Sequence, residues 1–353
     1  MYRVAIDCRE LTREKLRSIG IILERMMADS PYEDLVLFSD VPLKRKYLCR
    51  QFENVVYGKV NGGGMDVVKY QYWMKKQCET LRISAFYQVN HYSLFKMKGT
   101  RIVTTIHDLF PLEGIDSYSK AYQLLFRIFI RRTLRNSDVV TTVSRFTYDN
   151  IQKKFGKYDN VVVVPNGIDR PATPAADEKP YIDGKYLLML GRVCKWKGVS
   201  RLLDIYISEL SDSGLKLVIA GEATEQTVKE HVLKCCRENP NIIWLDYVSD
   251  ALKSNLYKNA AVLCYPSVYD GFGLPPLEAA CYGTKCLMND IPVLREVTKG
   301  KGYYVDYYGD GKAADAILRV IDDDNTVTEA VKRVAMSYSW HDWAEKIYSL
   351  LRK

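Results

Sequence analysis

Short runs of apolar residues alternate along this chain with segments in which apolar positions recur every three or four residues. The runs predict buried strands, and the segments between them predict amphipathic helices. In the first half of the chain, strands are predicted at 3–7, 34–39, 55–57, 85–89, 101–106, 139–143 and 161–164. Helices are predicted at 19–28, 65–80, 119–135 and 146–155. This alternation is typical of a mainly parallel sheet that helices cover on both faces.

The alternation stops once and then begins again. The segment 170–185 is rich in Pro, Ala and charged residues without a hydrophobic period, which is typical of a linker. Strands follow at 186–190, 216–220, 242–245, 261–265 and 285–288, with helices at 200–210, 225–236, 251–259 and 276–282. We therefore predict an α/β fold of two facing, doubly wound, Rossmann-like domains. Ligands would bind in the cleft between them, at the carboxyl ends of the strands.

Length and composition suit a globular protein of two domains, with 353 residues. The chain begins directly on an apolar strand, so we expect no signal peptide. Its most apolar helical segment, 121–134, is interrupted by arginines and is not expected to span a bilayer. The nine cysteines are scattered and odd in number, which indicates reduced thiols. A cytoplasmic protein is the expectation.

Basic residues are concentrated in the first half. Residues 1–170 contain 28 Lys and Arg against 18 Asp and Glu, whereas residues 171–353 contain 23 against 25. A basic surface would attract an anionic membrane, a lipid diphosphate or nucleic acid, although scattered solvated lysines explain the same numbers. The helix predicted at 119–135 mixes arginines with apolar residues, most of which we expect in the core. Its arginines, with Lys44–Lys46, Lys75 and Lys76, predict peripheral contact with the inner face of the cell membrane.

In the second half, an apolar run leads through a turn rich in Gly and Pro to a helix predicted to begin at Pro276. Gly271 and Gly273 allow close backbone approach to a ligand, and the helix start favours an anion such as phosphate. Asp270 precedes the turn. Glu278 is expected in the first helical turn, where it could accept hydrogen bonds from the vicinal hydroxyls of a ribose. A turn residue and a helix-dipole partner are the alternative interpretation of the two carboxylates.

Two cations and a histidine also follow predicted strands. Arg192 and Lys197 leave the first strand of the second domain, and their charges suit the phosphates of a nucleoside diphosphate; a solvated basic turn is the alternative. In the first domain, His107 and Asp108 stand where a strand ends. His107 would contact the transferred group or its acceptor, unless it is an ordinary loop histidine.

Other sequence features give weaker indications of a functional site. Arg145 follows the helix-capping Ser144 and is a candidate contact for an acceptor or a phosphate. Gly20, near a helix start, would allow close approach to a phosphate, or it is an ordinary loop residue. The acidic triplet 322–324 follows a predicted helix rather than a central strand, so we expect no metal there. Phosphate-loop, paired CxxC and GxSxG motifs do not occur, so NTP hydrolysis, zinc chemistry and serine hydrolysis lack support.

Several motifs together resemble the family 4 retaining glycosyltransferases, whose GT-B fold has two facing Rossmann-like domains. They are GRVCKWKG, PSVYDGFGLPPLEAACYG, HDLFP, VVTTVSRF, PNGID and YSWHDWA. The resemblance extends over nearly the whole chain and implies domains at 1–170 and 171–340. It also implies a C-terminal helix, 341–353, that packs back on the first domain. A nucleoside-diphosphate sugar would be the donor, with no metal or other cofactor.

The resemblance also implies a role for individual residues. Arg192 and Lys197 would bind the diphosphate, Glu278 the ribose, and the loop around Val248 the base. His107 would lie near the donor sugar. Asp270 and the backbone of the turn after it would bind the hexose, through Gly271, Phe272, Gly273 and Leu274.

Two positions depart from the family pattern. Asp270 stands where Glu is usual, and Ser18 stands where Gly is common. The start of the chain and the HDLFP motif are similar to bacterial enzymes that build O-antigen, capsule or exopolysaccharide, many of which are mannosyltransferases. This similarity implies GDP-mannose as the first expectation for the donor, with UDP- or dTDP-sugars next.

The leading hypothesis is a retaining, metal-independent hexosyltransferase that acts on a saccharide or lipid-linked saccharide in surface polysaccharide synthesis. The bond between the sugar and the diphosphate would break through an oxocarbenium-like state, and the diphosphate would take the acceptor proton. One alternative is a GT-B phosphorylase or a sugar-phosphate-using relative. Another is a non-catalytic protein that binds a sugar nucleotide or nucleic acid. A nucleic-acid partner is not expected, because the sequence lacks a recognition-helix motif and an aromatic–basic RNA signature.

Overall fold

The computed structural model describes residues 2–12, 18–28, 30–31, 35–43, 55–58, 66–114, 118–171, 179–309 and 311–352. It divides into two compact units. The first is formed by Met1–Gly167 with Ser339–Lys353, and the second by Ile168–Tyr338. Each unit is a doubly wound α/β domain around a parallel sheet, so the predicted fold class is confirmed.

The first unit contains a seven-stranded sheet. Its strands are β1 (Val4–Asp7), β2 (Leu35–Ser39), β3 (Val55–Tyr57), β4 (Ala85–Gln88), β5 (Arg101–Ile106), β6 (Val139–Thr142) and β7 (Val161–Val163). Its helices include α1 (Ser18–Ala28), α2 (Asp66–Thr80), α3 (Lys120–Asn136) and α4 (Arg145–Phe155). The spatial order is β3-β2-β1-β4-β5-β6-β7, so the sequence order reverses between β1 and β4.

Both faces of this sheet are buried, which explains why its strands read as continuous apolar runs. Along β1, Val4 and Ile6 belong to a core cluster that includes α1, whereas Ala5 belongs to the cluster on the side of α2. Successive strand residues point to opposite faces, so helices on both sides are needed to cover them. The predicted cap is confirmed at α4, where Ser144 Oγ accepts the amide of Thr147 at 3.1 Å.

The second unit contains a six-stranded sheet. Its strands are β8 (Tyr186–Leu190), β9 (Lys216–Ala220), β10 (Ile242–Trp244), β11 (Val262–Tyr265), β12 (Cys286–Asn289) and β13 (Tyr303–Val305). Its helices are α5 (Val199–Ile205), α6 (Gln226–Glu238), α7 (Asp250–Asn259), α8 (Leu274–Cys281), α9 (Pro292–Val297), α10 (Ala313–Asp322) and α11 (Thr326–Ala335). The order β10-β9-β8-β11-β12-β13 places the reversal between β8 and β11.

The last helix, α12 (Trp340–Arg352), belongs to the first unit although it ends the chain. Its Trp343 is 3% exposed and packs edge-on against Tyr87 of β4. The hydroxyl of Tyr348 donates to the carbonyl oxygen of Met26 at 2.7 Å. Arg101 Nε donates to the carbonyl oxygen of Leu350 at 2.6 Å. The helix therefore closes the core of the first unit on the face that also carries α1.

The predicted elements agree with the structure to within two residues at each described end, but the pattern does not predict β13, α9 or α11. The helix predicted at 200–210 is α5 followed by a π-helical turn, Tyr206–Leu210. One burial prediction needs correction. In α3, Phe126, Ile130 and Leu134 are core residues, whereas three other large apolar side chains are exposed, namely Leu124, Leu125 and Ile128.

Candidate functional site

Lys197 and Asp270, two candidate residues for binding the donor substrate, follow the carboxyl ends of β8 and β11 in the second unit. These strands are neighbours where the strand order reverses, and open α/β sheets bind ligands at such a point. Lys197 lies in a short 3-10 helix after β8, and Asp270 lies in the turn after β11. Lys197 Nζ is 2.5 Å from Asp270 Oδ1. Two residues that are distant in sequence are thus brought into direct contact.

This ion pair is mostly buried and shares a third partner. The side chains of Lys197 and Asp270 are 16% and 14% exposed. The Tyr265 hydroxyl donates to Asp270 Oδ2 at 2.7 Å and accepts from Lys197 Nζ at 3.0 Å. Burial and then the Asp270 carboxylate raise the pKa of Tyr265 well above its usual value, so the hydroxyl stays protonated. Within this triangle, one of the three N–H donors of Lys197 is not used.

The loop after β8 also carries Arg192, which is exposed and lies with its guanidinium 5.8 Å from the Trp196 ring centroid. The same loop approaches the one after β11 closely. Gly198 adopts a left-handed φ of 76°, and a Cβ there would lie 2.5 Å from the carbonyl oxygen of Pro266. The amide of Val268 donates to the carbonyl oxygen of Trp196 at 3.0 Å. These contacts hold the basic loop against the turn that carries Asp270.

The turn after Asp270 leads into α8, which begins at Leu274, two residues before its predicted start. Gly273 is the residue before the helix and has a left-handed φ of 89°. Phe272 is buried against Tyr338, with ring centroids 5.3 Å apart, whereas Gly271 and Leu274 are half-buried. Two prolines occupy the first turn of α8, where amides lack helical partners in any case. The N-terminus of α8 adds a partial positive charge that favours an anion.

Glu278 lies in the second turn of α8, which corrects the expectation of the first turn. The hydroxyl of the buried Tyr257 donates to Glu278 Oε2 at 2.9 Å. Burial disfavours the charge of Lys253, but Glu278, followed by Asp250 and Asp169, outweighs that effect and raises the Lys253 pKa. Glu278 thus has a hydrogen-bond partner on α7, Tyr257, and a nearby cation, Lys253, which itself pairs with Asp250 at 3.3 Å.

The predicted base-binding loop follows β10. Asp246 has a left-handed φ of 52°, and its carbonyl oxygen accepts the amide of Gly221 at 2.6 Å. A Cβ at Gly221 would lie 1.7 Å from the carbonyl oxygen of Gly191, so only glycine fits. Val248 is half-buried two residues beyond Asp246. The loops after β8, β9 and β10 are thus in contact at the same edge of the sheet.

In the first unit, His107 follows β5 and is buried. Its Nε2 is 2.8 Å from the carbonyl oxygen of Val89, so Nε2 carries the hydrogen and Nδ1 is an acceptor. The ring of His91 stands edge-on at 5.5 Å. Burial, reinforced by His91, lowers the pKa of His107 to about 4. A neutral imidazole suits a hydrogen bond from a sugar hydroxyl rather than an ion pair.

The remaining candidates of the first unit have local partners. Asp108 Oδ1 accepts the amide of Phe110 at 2.9 Å, an interaction typical of turns. Arg145, at the start of α4, is exposed and forms an ion pair with Asp149 at 2.9 Å. Gly20 is buried within α1. The side chain of Ser18, and residues 13–17, which precede α1, lie outside the described residues.

Two further features concern metals and membranes. In the described ranges, no group of His, Cys, Asp and Glu side chains is arranged to hold a metal ion. Asp324 Oδ1 instead accepts the amide of Thr326 at 2.8 Å, at the start of α11.

None of the helices in the described part of the chain combines the length and the apolar character needed to cross a bilayer.

Sequence reasoning missed three residues of this site, namely Lys253, Tyr257 and Tyr265. Tyr265 ends an apolar strand and directly precedes the turn, a position from which a hydroxyl reaches the ligand-binding edge. Lys253 and Tyr257 are four residues apart on α7 and therefore share one helix face. That spacing is a visible signal, but it does not reveal that the face meets Glu278.

Two family models match the chain. Residues 174–337 match the glycosyl transferases group 1, and residues 61–170 match the glycosyltransferase family 4. The group 1 match lies within the second structural unit, and nearly all of the family 4 match lies within the first.

Curated relatives include two O-antigen chain mannosyltransferases. The O-antigen chain mannosyltransferase RfbU of Salmonella typhimurium is 26% identical over 202 residues, 57% of this chain and 55% of the relative. The O-antigen chain mannosyltransferase B of Escherichia coli is 25% identical over 257 residues, 69% of this chain and 68% of the relative. The uncharacterized glycosyltransferase MJ1607 of Methanocaldococcus jannaschii is 29% identical over 176 residues, 48% of this chain and 45% of the relative. The chain thus spans about half the length of two of these relatives.

Solved structures match over the full chain. The Anabaena protein Alr3699/HepE, in complex with UDP and glucose, has a TM-score of 0.79 at 14% identity and is covered completely, as is this chain. WaaG, a glycosyltransferase involved in lipopolysaccharide biosynthesis, has a TM-score of 0.75 at 14% identity, with 99% of both chains covered. At this identity the likeness concerns the fold. The two family models, which together match 61–170 and 174–337, show that the chain belongs to the family 4 glycosyltransferases, and the structural likeness shows that it has the GT-B fold.

Proposed function

We propose that the protein is a retaining, metal-independent hexosyltransferase with a nucleoside-diphosphate sugar as donor. The observation that carries the proposal is the contact of Lys197 with Asp270 at the switch point between β8 and β11. The third N–H donor of Lys197, which neither Asp270 nor Tyr265 uses, and the start of α8 suit a diphosphate, whereas Asp270 suits sugar hydroxyls. Glu278, held by Tyr257, suits the hydroxyls of a ribose.

The proposed reaction replaces one bond at the anomeric carbon by another on the same face of the sugar. As the bond to the diphosphate oxygen breaks, the acceptor oxygen forms its bond, and the acceptor proton passes to the diphosphate. Negative charge grows on the leaving group, so Lys197 and Arg192 would stabilise the transition state more than the bound substrate. Both oxygens of Asp270 are engaged by Lys197 and Tyr265, which disfavours a covalent intermediate on this carboxylate.

The catalytic role of the two cations is tested by Lys197→Ala and Arg192→Ala. Each should reduce turnover about 100-fold, a loss typical of one removed transition-state stabiliser, while the affinity for the donor changes less. Lys195→Ala is the matched control, since Lys195 is an exposed lysine of the same short helix. Activity should also survive EDTA. Complete inactivation by EDTA, restored by a divalent metal, would contradict the proposal.

For the donor we propose GDP-mannose, with UDP- and dTDP-sugars next. Two relatives are named O-antigen chain mannosyltransferases, and this supports mannose and a surface-polysaccharide acceptor. HepE, whose structures contain UDP or UDP-glucose, supports UDP as the competing assignment. A thermal-shift comparison of GDP, UDP, dTDP and ADP decides, because a ligand that binds only the folded state raises its stability. A shift with UDP alone would reassign the donor, and no shift with any of the four would overturn the proposed function.

We further propose that the acceptor is lipid-linked and is met at an anionic membrane surface. On α3, Leu124, Leu125 and Ile128 are 61%, 43% and 42% exposed. Exposed arginines follow on the same helix, at 131, 132 and 135. Apolar side chains among basic ones are typical of a helix that lies in a lipid interface. Of the other cations predicted for this surface, Lys75 and Lys76 pair with Glu79, and Lys44–Lys46 lie outside the described residues.

The membrane proposal is tested by sedimentation with vesicles of phosphatidylglycerol and of phosphatidylcholine. Binding to the anionic vesicles should weaken with salt, and Leu124→Ser should reduce it several-fold because an inserting side chain is lost. Leu233→Ser, at a leucine of α6 that is 37% exposed, is the matched control. Equal binding to both kinds of vesicle would contradict the anionic surface, and binding to neither at low salt would favour a soluble acceptor instead.

A further inference from the structure

Each carboxylate of the candidate donor site is held by a buried tyrosine and accompanied by a lysine. Asp270 accepts from Tyr265 at 2.7 Å and pairs with Lys197. Glu278 accepts from Tyr257 at 2.9 Å and interacts with Lys253. The two tyrosines are 3% and 0% exposed. A hydrogen bond from a buried tyrosine to a carboxylate therefore occurs twice, on different elements of the second unit. The lysines differ, because Lys197 contacts Asp270 directly, whereas Lys253 pairs with Asp250 at 3.3 Å.

We propose that Tyr265 and Tyr257 are positioning residues that orient the two carboxylates for different parts of the donor. Tyr265 orients Asp270 for the sugar, and Tyr257 orients Glu278 for the nucleoside. This inference rests on the proposed function. It adds that the carboxylate for the sugar and the carboxylate for the nucleoside are each oriented by a tyrosine of their own.

A carboxylate that contacts only a lysine remains free to rotate about its last side-chain bond. An ammonium group is a point charge that either carboxylate oxygen satisfies, so it does not by itself define the plane of the carboxylate. Tyr265 engages Oδ2 and leaves Oδ1 to Lys197, which defines that plane. The remaining lone pairs of Asp270 then have definite directions in which to accept sugar hydroxyls.

Tyr257 does the same for Glu278 from another element. A free Glu side chain has three rotatable bonds, and its ordering on binding would cost conformational entropy. The hydroxyl of Tyr257, near the end of α7, donates to Oε2 and thereby restricts this side chain to one orientation. Burial and the neighbouring carboxylate raise the pKa of both tyrosines well above the usual value, so both remain hydrogen-bond donors at physiological pH.

The test uses Tyr265→Phe and Tyr257→Phe in the full chain, with Tyr186→Phe as the control. Tyr186 is equally buried, but its hydroxyl donates to the carbonyl oxygen of Leu256 at 2.8 Å rather than to a carboxylate. Calorimetry gives the Kd of a nucleoside diphosphate and of its sugar conjugate, with GDP and GDP-mannose and with UDP and UDP-glucose as probes. The ratio of the two Kd values measures the contribution of the sugar.

Tyr257→Phe should weaken both ligands about tenfold and leave the ratio unchanged, because the nucleoside is common to both. Tyr265→Phe should change the ratio about tenfold and the Kd of the diphosphate much less. An unchanged ratio in Tyr265→Phe would overturn the inference, and so would Kd values in both variants that change no more than in Tyr186→Phe. In either case, binding by the wild type still supports the proposed function. A wild-type protein that binds none of the four probes overturns the proposed function itself. If Tyr257→Phe does not fold, the ratio for Tyr265→Phe against the control still decides.

Discussion

At the scale of single residues, the surroundings of His107 decide what its side chain can do. The end of a strand predicts a ligand contact, but it does not give the charge of the ring. Burial beside His91 lowers the pKa of His107 to about 4, and the carbonyl group of Val89 engages Nε2. The ring therefore offers one neutral acceptor, Nδ1, rather than a positive charge near the sugar.

This environment predicts a pH dependence of stability. Because the folded pKa of about 4 lies below the ordinary value of 6.5, the unfolded chain binds protons more readily between these values. The contribution of His107 is complete above about pH 6.5 and is lost as the pH falls toward 4. Between pH 7 and 5, wild type should lose about 2 kcal/mol more unfolding free energy than His107→Gln, as measured by urea titration.

The control for this experiment is His341→Gln, at an exposed histidine of α12. The same urea titrations of this variant give the effect of removing a histidine that is not buried. Parallel stability curves for wild type and His107→Gln would mean that His107 does not titrate as its burial requires.

At the scale of elements, α8 shows how one backbone conformation sets a helix start. The left-handed φ of Gly273 turns the chain into the helix at Leu274, so that Glu278 reaches Tyr257 from the second turn. A Cβ at Gly273 would lie 2.5 Å from Cδ2 of the buried Leu294. Gly283 has a similar φ of 79°, but a Cβ there has no neighbour within 4 Å.

These two glycines form a matched pair for mutation. Gly283→Ala should cost about 1–2 kcal/mol of unfolding free energy, because alanine is strained in the left-handed region. Gly273→Ala should cost about 1 kcal/mol more, since Leu294 must also move. Gly273→Ala alone should weaken the binding of nucleoside diphosphate. Equal affinities for the two variants, measured by calorimetry, would remove the turn before α8 from the site.

At the scale of the whole molecule, the two units are separate cores joined twice by the chain. The first unit needs the C-terminal helix, because α12 supplies Trp343, Ile347 and Leu351 to its main cluster. The second unit has its own cluster, which includes Leu202. A core substitution should therefore destabilise mainly the unit in which it lies.

Trp343→Ala and Leu202→Ala test this separation. Each removes a side chain that is at most 3% exposed and should cost about 3–5 kcal/mol in its own unit. Hydrogen exchange should show faster opening of β1 and β4 in Trp343→Ala, with β8 and β11 unchanged. Leu202→Ala should give the reverse pattern. Equal acceleration in both sheets for either variant would indicate a single cooperative unit.

The sequence by itself determined the α/β class, the restart of the pattern after 170–185 and, to within two residues, the ends of most elements. These features depend on local information, because apolar runs mark buried strands and capping residues such as Ser144 mark helix starts. The motifs around Lys197, Asp270 and Glu278 were visible for the same reason, because each lies within one short stretch.

Only the tertiary structure decided how those stretches are combined. The contact of Lys197 with Asp270 spans 73 positions, and that of Tyr257 with Glu278 spans 21. No repeating pattern along the chain links residues at these separations, so the sequence does not reveal that they are partners. Burial depends likewise on what packs on a residue, so the pattern of α3 could not show that Leu124 and Ile128 face solvent. Hydrogen-bond partners and pKa shifts arise from such long-range packing, so the chemistry of the site becomes defined only when the sheets assemble.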